Sequence, residues 1–225
     1  MGPVEAAQVY REKLTGISRA AELLRNSQGD RPGEMKDTLV QYIAAATRSF
    51  SKLIDDLAWY EKLNSGRIQA IPGTYPIRAL VEDARLLLPE FDSDLRLKVE
   101  WANPPEDVFI DGCLAAVALS KVLRNAWVYS GQDSEVNLVV HSDPGAIRVQ
   151  VRDHGIGIPV DELSMVGEPL YRGSNVAHIA GSGMGLGIAR ACMLALGGQI
   201  RLERGIDKGT TVQLTIPWGI RPTGF

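Results

Sequence analysis

The chain has 225 residues, of which 45% are hydrophobic and 23% charged, and a formal net charge of −3. That is enough apolar material for a buried core, which excludes wholesale disorder, and the charge balance gives no electrostatic case for binding nucleic acid. No apolar run approaches the roughly 20 residues that a membrane span needs, and the N-terminus carries no signal-peptide pattern.

The two cysteines, Cys113 and Cys192, are far apart and lack metal-ligand spacing. Both read as buried thiols in a reducing compartment, which favours the cytoplasm.

Residues 4–28 are predicted to be a helix. Ala7, Tyr10, Leu14, Ile17, Ala21 and Leu24 recur in steps of three and four, the pattern of a helix-bundle seam. The polar, glycine-containing run 26–33 breaks that helix. A second helix is predicted over about 34–66, with its own seam of Leu39, Ile43, Ala46, Phe50, Leu53, Leu57 and Tyr60. Two such helices form an antiparallel hairpin. A lone hairpin cannot bury both faces, so pairing of two copies into a four-helix bundle is expected, with packing on the rest of the chain as the alternative.

Beyond Gly66 the pattern changes. Residues 71–76 read as a linker, and 77–89 as an amphipathic helix with Ile77, Leu80, Val81, Ala84 and Leu88 on one face. Strands are predicted at 97–102 and 107–111, and a helix at 113–129. Val136, Leu138 and Val140 alternate, as do Ile147, Val149 and Val151, which predicts two half-buried strands. Residues 160–180 show no periodicity. A helix at about 184–196 ends at Gly197-Gly198, and strands follow at 199–204 and 211–217. Helices among mostly antiparallel strands make an α+β sandwich.

Four short segments carry chemistry. Residues 121–130, on a helix, include Lys121, Asn125 and Tyr129. Residues 153–159 leave a strand and include Asp153, Gly155 and Gly157. Residues 181–187 open a helix and include Gly181, Gly183, Gly185 and Leu186. Residues 209–211, with Thr210, enter a strand. An amide oxygen such as that of Asn125 is a neutral, hard ligand suited to Mg²⁺ beside a triphosphate. An aspartate at a strand end can accept from an adenine amino group, and adjacent glycines let the base approach the backbone. Backbone N–H groups at a helix N-terminus favour phosphate. The stretch 160–180 reads as a lid over the nucleotide. Singly, each feature is commonplace; their order, element types and separations together are what point to a nucleotide site.

The four segments resemble the N, G1, G2 and G3 boxes of the GHKL (Bergerat) ATPase superfamily, shared by histidine kinases, DNA gyrase, the Hsp90 chaperone and the MutL mismatch-repair protein. Residues 167–173 resemble the histidine-kinase F box, and 63–68 the end of the histidine-kinase dimerisation helix. A helical hairpin directly ahead of the ATP-binding domain selects the histidine-kinase branch, and an anti-sigma Ser/Thr kinase of the superfamily would lack it. By resemblance, Asn125 binds Mg²⁺, Asp153 reads adenine and Tyr129 lies near the base or ribose. Arg172 lies in the lid, Gly181, Gly183 and Gly185 contact phosphates, and Gly155, Gly157, Leu186 and Thr210 complete the ATP site. The implied division is a dimerisation hairpin at 1–68, a linker at 69–76, an ATP-binding domain at 77–219 and a tail at 220–225. The implied cofactors are ATP and Mg²⁺. The implied partners are a second copy, joined through residues 4–66, and a response-regulator receiver domain or a partner kinase, with no nucleic acid or membrane contact. The expected setting is a cytoplasmic portion of a membrane-bound or multidomain sensor.

Two departures stand out. The family phosphorylates a histidine on the first bundle helix, but His141, His154 and His178 all lie outside the hairpin, and ungapped alignment puts Gln8 at the acceptor position. The glutamine amide nitrogen is delocalised and is no nucleophile. Tyr10, on the seam, reads as core. In the N box, Lys121 stands where the family has a neutral or acidic residue, and Val128 where it often has lysine. The chain is therefore either a kinase core whose acceptor has been replaced, or a nucleotide-binding pseudokinase that dimerises and controls a partner.

Overall fold

The computed structural model describes residues 3–25, 33–91, 96–131, 134–176, 179, 181–205 and 209–219. Two long helices come first, α1 (Pro3–Arg25) and α2 (Gly33–Asn64), close to the predicted spans. Glycine stops α2. Gly66 takes a φ of +71°, a left-handed conformation that costs glycine little, and its amide returns to the Leu63 carbonyl at 3.1 Å. Glycine also sets how closely the two helices approach: a Cβ on Gly16 would come within 2.4 Å of the Tyr42 hydroxyl.

The predicted seam is only partly covered within one chain. Leu53 is buried, and Ile17, Leu24, Ile43 and Phe50 are half-buried, but Leu14 and Leu57 stay exposed. In α1 the buried alanine is Ala20, and the expected Ala21 is exposed. The side chains of Ala7, Gln8 and Tyr10 lie outside the described residues. The C-terminal half of α2 packs on the next domain, because Leu53 and Leu63 join its core and α2 contacts the last helix.

The segment expected to be a linker contains a strand. β1 (Gly73–Pro76) pairs antiparallel with β3 (Asp107–Ile110). Four residues ending in proline give too little alternation to announce a strand, and long-range partners fix this one. Tyr75 donates its hydroxyl to Asp83 at 2.6 Å, and its ring fills the space where a Cβ of Gly112 would fall. Burial, the Asp83 hydrogen bond and that carboxylate's charge together push the Tyr75 hydroxyl pKa well up. The predicted helix 77–89 is shorter, α3 (Ala79–Leu86). Pro89 disfavours helical conformation in the residue before it and opens a single 3₁₀ turn, Pro89–Phe91.

The remaining strands are β2 (Leu97–Ala102), β4 (Val136–Asp143), β5 (Ala146–Arg152), β6 (Gln199–Arg204) and β7 (Thr210–Pro217). They form one sheet in the order β2-β4-β5-β7-β6, with β2 parallel to β4 and the other pairs antiparallel. α4 (Gly112–Tyr129) packs against β5 and β7, and α5 (Gly185–Ala195) against β6 and β7. Every second residue of β5 and β7, and of β4 from Val136 to Val140, is buried, so one face of the sheet meets α4 and α5. The result is an α+β protein with a mixed five-stranded sheet, the α+β class that the sequence pattern predicts. Asp111 caps α4 by accepting from the Leu114 amide at 3.0 Å, and its other oxygen takes the Ile71 amide at 2.8 Å.

Both cysteines were expected to be buried; Cys192 is, and Cys113, in the first turn of α4, is exposed. Burial pushes the Cys192 thiol up to about 12. Among the described residues no helix is long and apolar enough to cross a membrane.

Candidate functional site

All four sequence segments line one cavity beside the sheet. At one end lies Asp153, just past the end of β5 and only 6% exposed. Its Oδ1 accepts two backbone amides, from Gly155 at 2.9 Å and Thr210 at 3.1 Å. Its own amide donates to the Thr210 carbonyl at 2.9 Å. Both side-chain bonds fall on Oδ1 and leave Oδ2 outside them. Burial raises the carboxyl's pKa above the ordinary aspartate value, against the two amides, which lower it.

Glycine makes this corner possible. A Cβ on Gly209 would sit 2.1 Å from the Asp153 carbonyl oxygen, and both Gly157 and Gly209 have left-handed backbones, at φ +71° and +80°. Thr210 is buried against Asp153, where the second and fourth motifs meet.

α4 supplies one wall. Lys121, Asn125 and Tyr129 follow each other at four-residue spacing, which puts them on one helix face, and all three line the cavity. Opposite them runs the loop 181–184 into α5. Gly183, at φ +72°, passes so close to the Leu170–Tyr171 backbone that a Cβ would lie 2.8 Å from it. Gly185 faces Asn125: a Cβ there would lie 3.4 Å from Oδ1 of that amide. Gly181 and Leu186 also border the cavity, and Ser182 Oγ accepts the Met184 amide at 3.3 Å.

The segment read as a lid is pinned at several points. Asn175 donates to the Gly157 carbonyl at 2.9 Å, and the Glu162 carboxylate accepts the Ser174 amide at 3.0 Å. Hydrogen bonding from Ser174, through its side chain first and its amide second, lowers the Glu162 pKa. Arg172 is buried, lines the cavity, and turns its guanidinium onto the carbonyls of Val176 and Ile179. His178 lies outside the described residues.

Sequence reasoning missed one wall. Ser49, Lys52 and Asp56 of α2 border the same cavity. Asp56, 8% exposed, accepts from the Lys121 ammonium at 2.8 Å. A lysine on the cavity face of α4 called for an anion, but nothing in the local pattern said that α2 would deliver it. The donor chemistry fits Mg²⁺: Asn125 offers one neutral oxygen, as suits an ion whose other ligands are phosphate oxygens and water.

Comparison with known proteins agrees with this geometry. Residues 114–220 match the family described as histidine kinase-, DNA gyrase B-, and HSP90-like ATPase. The chain is 25% identical to histidine protein kinase DivJ of Caulobacter vibrioides, over 84% of the chain and 33% of that protein. It is 27% identical to sensor histidine kinase WalK of Bacillus subtilis, over 82% of the chain and 32% of that protein. The chain thus spans about a third of the length of these relatives. Among solved structures, Acinetobacter baumannii histidine kinase AdeS superposes with a TM-score of 0.70 at 16% identity, covering 93% of this chain and 97% of that one. Histidine kinase ThkA, in complex with the response regulator protein TrrA, superposes with a TM-score of 0.75 at 20% identity, covering 96% and 60%. Residues 114–220 thus match this ATPase family, and nearly the whole chain, helical pair included, is similar to histidine kinases in sequence and in fold.

Proposed function

We propose that this chain is the nucleotide-binding core of a two-component sensor kinase, taking ATP with Mg²⁺ into the cavity between α4, the sheet and the loop 181–184. The observation that carries this reading is Asp153. A buried carboxylate held through one oxygen by two amides keeps its second oxygen for a ligand donor, and an adenine amino group is such a donor. Asn125 is the metal-facing oxygen, the glycine loop offers backbone amides to phosphates, and Tyr129 borders the base or ribose.

Two further parts of the reading rest on the helical pair. Tyr42, Ile54 and Leu57 of α2 and Leu14 of α1 are exposed in the single chain, which supports burial against a second copy through residues 4–66. The likeness to a kinase solved with its response regulator supports a receiver domain as the signalling partner. Gln8 favours a second reading, a pseudokinase that dimerises, binds nucleotide and regulates a partner kinase or response regulator.

Calorimetric titration tests the reading. The chain binds ATP·Mg²⁺, and Asp153→Ala weakens binding by about tenfold or more, because a lost hydrogen bond to a charged group is worth ~1.5–3 kcal/mol. Equal binding by both proteins removes the adenine assignment.

A further inference from the structure

Asp56 belongs to α2, well before the ATPase domain in sequence, yet both of its carboxylate oxygens engage that domain. Oδ1 accepts from Lys121 Nζ at 2.8 Å, and Oδ2 from Ser182 Oγ at 3.4 Å. Ser182 in turn accepts the Met184 amide immediately ahead of α5. An anion is thus already seated between the lysine of α4 and the glycine loop, at the end of the cavity away from Asp153. The pair is largely withdrawn from water, with side-chain exposures of 21% for Lys121 and 10% for Asp56.

In the reading above the phosphates meet the glycine loop, and Ser182 of that loop is one of the two groups that hold Asp56, so base at Asp153 and phosphates at the loop bring the phosphates to this place. A phosphate and the Asp56 carboxylate cannot share it, because two negative charges in contact repel strongly when shielded from solvent. Lys121 cannot simply lose its partner either, since a shielded charge left unpaired is costly. An exchange satisfies both constraints: the ammonium passes from carboxylate to phosphate. Lys121 is also the one lysine in α4, and the position three residues beyond Asn125 is the apolar Val128.

We propose that the Asp56 carboxylate holds the place of the nucleotide's distal phosphates. A triphosphate displaces it from Lys121 and Ser182, and Lys121 then distinguishes polyphosphate from monophosphate nucleotides. Through Asp56 the grip of α2 on the ATPase domain becomes sensitive to which nucleotide is bound. The proposal rests on the nucleotide-binding reading above.

The test is titration of the whole chain with ATP, ADP and AMP, comparing wild type, Asp56→Asn, Lys121→Met and the double variant. Asp56→Asn removes the competing charge at constant size and is expected to tighten ATP by about tenfold while moving AMP less than about twofold. Lys121→Met is expected to weaken ATP by about tenfold, again with little effect on AMP. Asp56→Asn in the Lys121→Met background is expected to give no gain, because the two residues act as one unit. If wild type binds ATP and Asp56→Asn leaves that affinity unchanged or weaker, the proposal is overturned and the nucleotide reading stands. Equal loss of ATP and AMP binding in Lys121→Met also overturns it, because that pattern marks a structural role. No binding of any of the three nucleotides, by wild type or by variants that melt as cooperatively as wild type, overturns the nucleotide reading and the proposal together.

Discussion

A Cβ placed on Gly155 would lie 2.2 Å from the carbonyl oxygen of Tyr129. The same carbonyl accepts the Ile156 amide at 3.2 Å, so the loop after β5 lies directly on the last turn of α4. Gly155→Ala must push the two apart. The expected cost is about 1–3 kcal/mol of stability, the usual range for overpacking, with a nucleotide affinity at least several-fold weaker because Asp153 moves with the loop. Gly145→Ala is the control. Gly145 has a φ of +79° but nothing within 4 Å of the added carbon, so stability falls by about 1 kcal/mol and nucleotide binding is unchanged. Thermal melting and calorimetry on both variants check this.

Burial raises the Asp153 pKa, and this gives nucleotide binding a pH signature. The ionised carboxylate is the acceptor, so affinity falls as pH is lowered through its pKa. That fall begins at a higher pH than for an ordinary aspartate, whose pKa is about 3.9. The stability sign is the reverse of a salt-bridged carboxylate. With the folded pKa above the unfolded one, ionisation of Asp153 costs stability at neutral pH, and this cost is relieved as pH falls through the folded value. Titrations of wild type and Asp153→Asn across acidic pH check this: the affinity change attributable to residue 153 is absent from the variant.

The strands and helices nearest the site were legible because their periodicity is strong and their neighbours are local. α4 and α5 carry helical spacing, β5 and β7 alternate along their length, and β4 does so in burial from Val136 to Val140. Asp153 and the motif glycines stood out in the sequence, but as room for a base and for phosphates; that Gly155 and Gly183 let two backbone segments touch depends on contacts the sequence does not show. What was not legible depended on distant contacts. β1 exists because β3 pairs with it, and the cavity wall at Asp56 exists because a lysine 65 residues away in sequence reaches it. Cys113 was misplaced because one apolar-leaning residue in the first turn of a helix does not announce its face.

Truncation tests what the helical pair contributes. Sedimentation of the whole chain is expected to show a dimer at micromolar concentration. A chain starting at residue 72 keeps β1 and is expected to be a folded monomer. It melts below the whole chain, because Leu53 and Leu63 no longer cover the core next to α5. A chain starting at residue 77 also loses the β1–β3 pairing and the Tyr75–Asp83 hydrogen bond, and is expected to be less stable again. A monomeric whole chain at these concentrations counts against the bundle.

Phosphoryl transfer needs an in-line nucleophile, and the Gln8 amide is none. With labelled ATP and Mg²⁺ the wild-type chain is expected to gain no acid-labile phosphate. Label in Gln8→His alone identifies a competent kinase with a replaced acceptor, and label in neither protein favours the pseudokinase reading. Label on Tyr10 of the wild-type chain, found by peptide mapping, contradicts its assignment to the helix seam.

The central claim is that the four motif segments form one nucleotide site. The most direct measurement is a crystal structure of the whole chain grown with a non-hydrolysable ATP analogue and Mg²⁺. The expected result is an adenine amino group within hydrogen-bond distance of the Asp153 carboxylate and phosphates against the backbone of 181–185. An analogue bound elsewhere on the chain, or one whose base lies away from Asp153, contradicts the account.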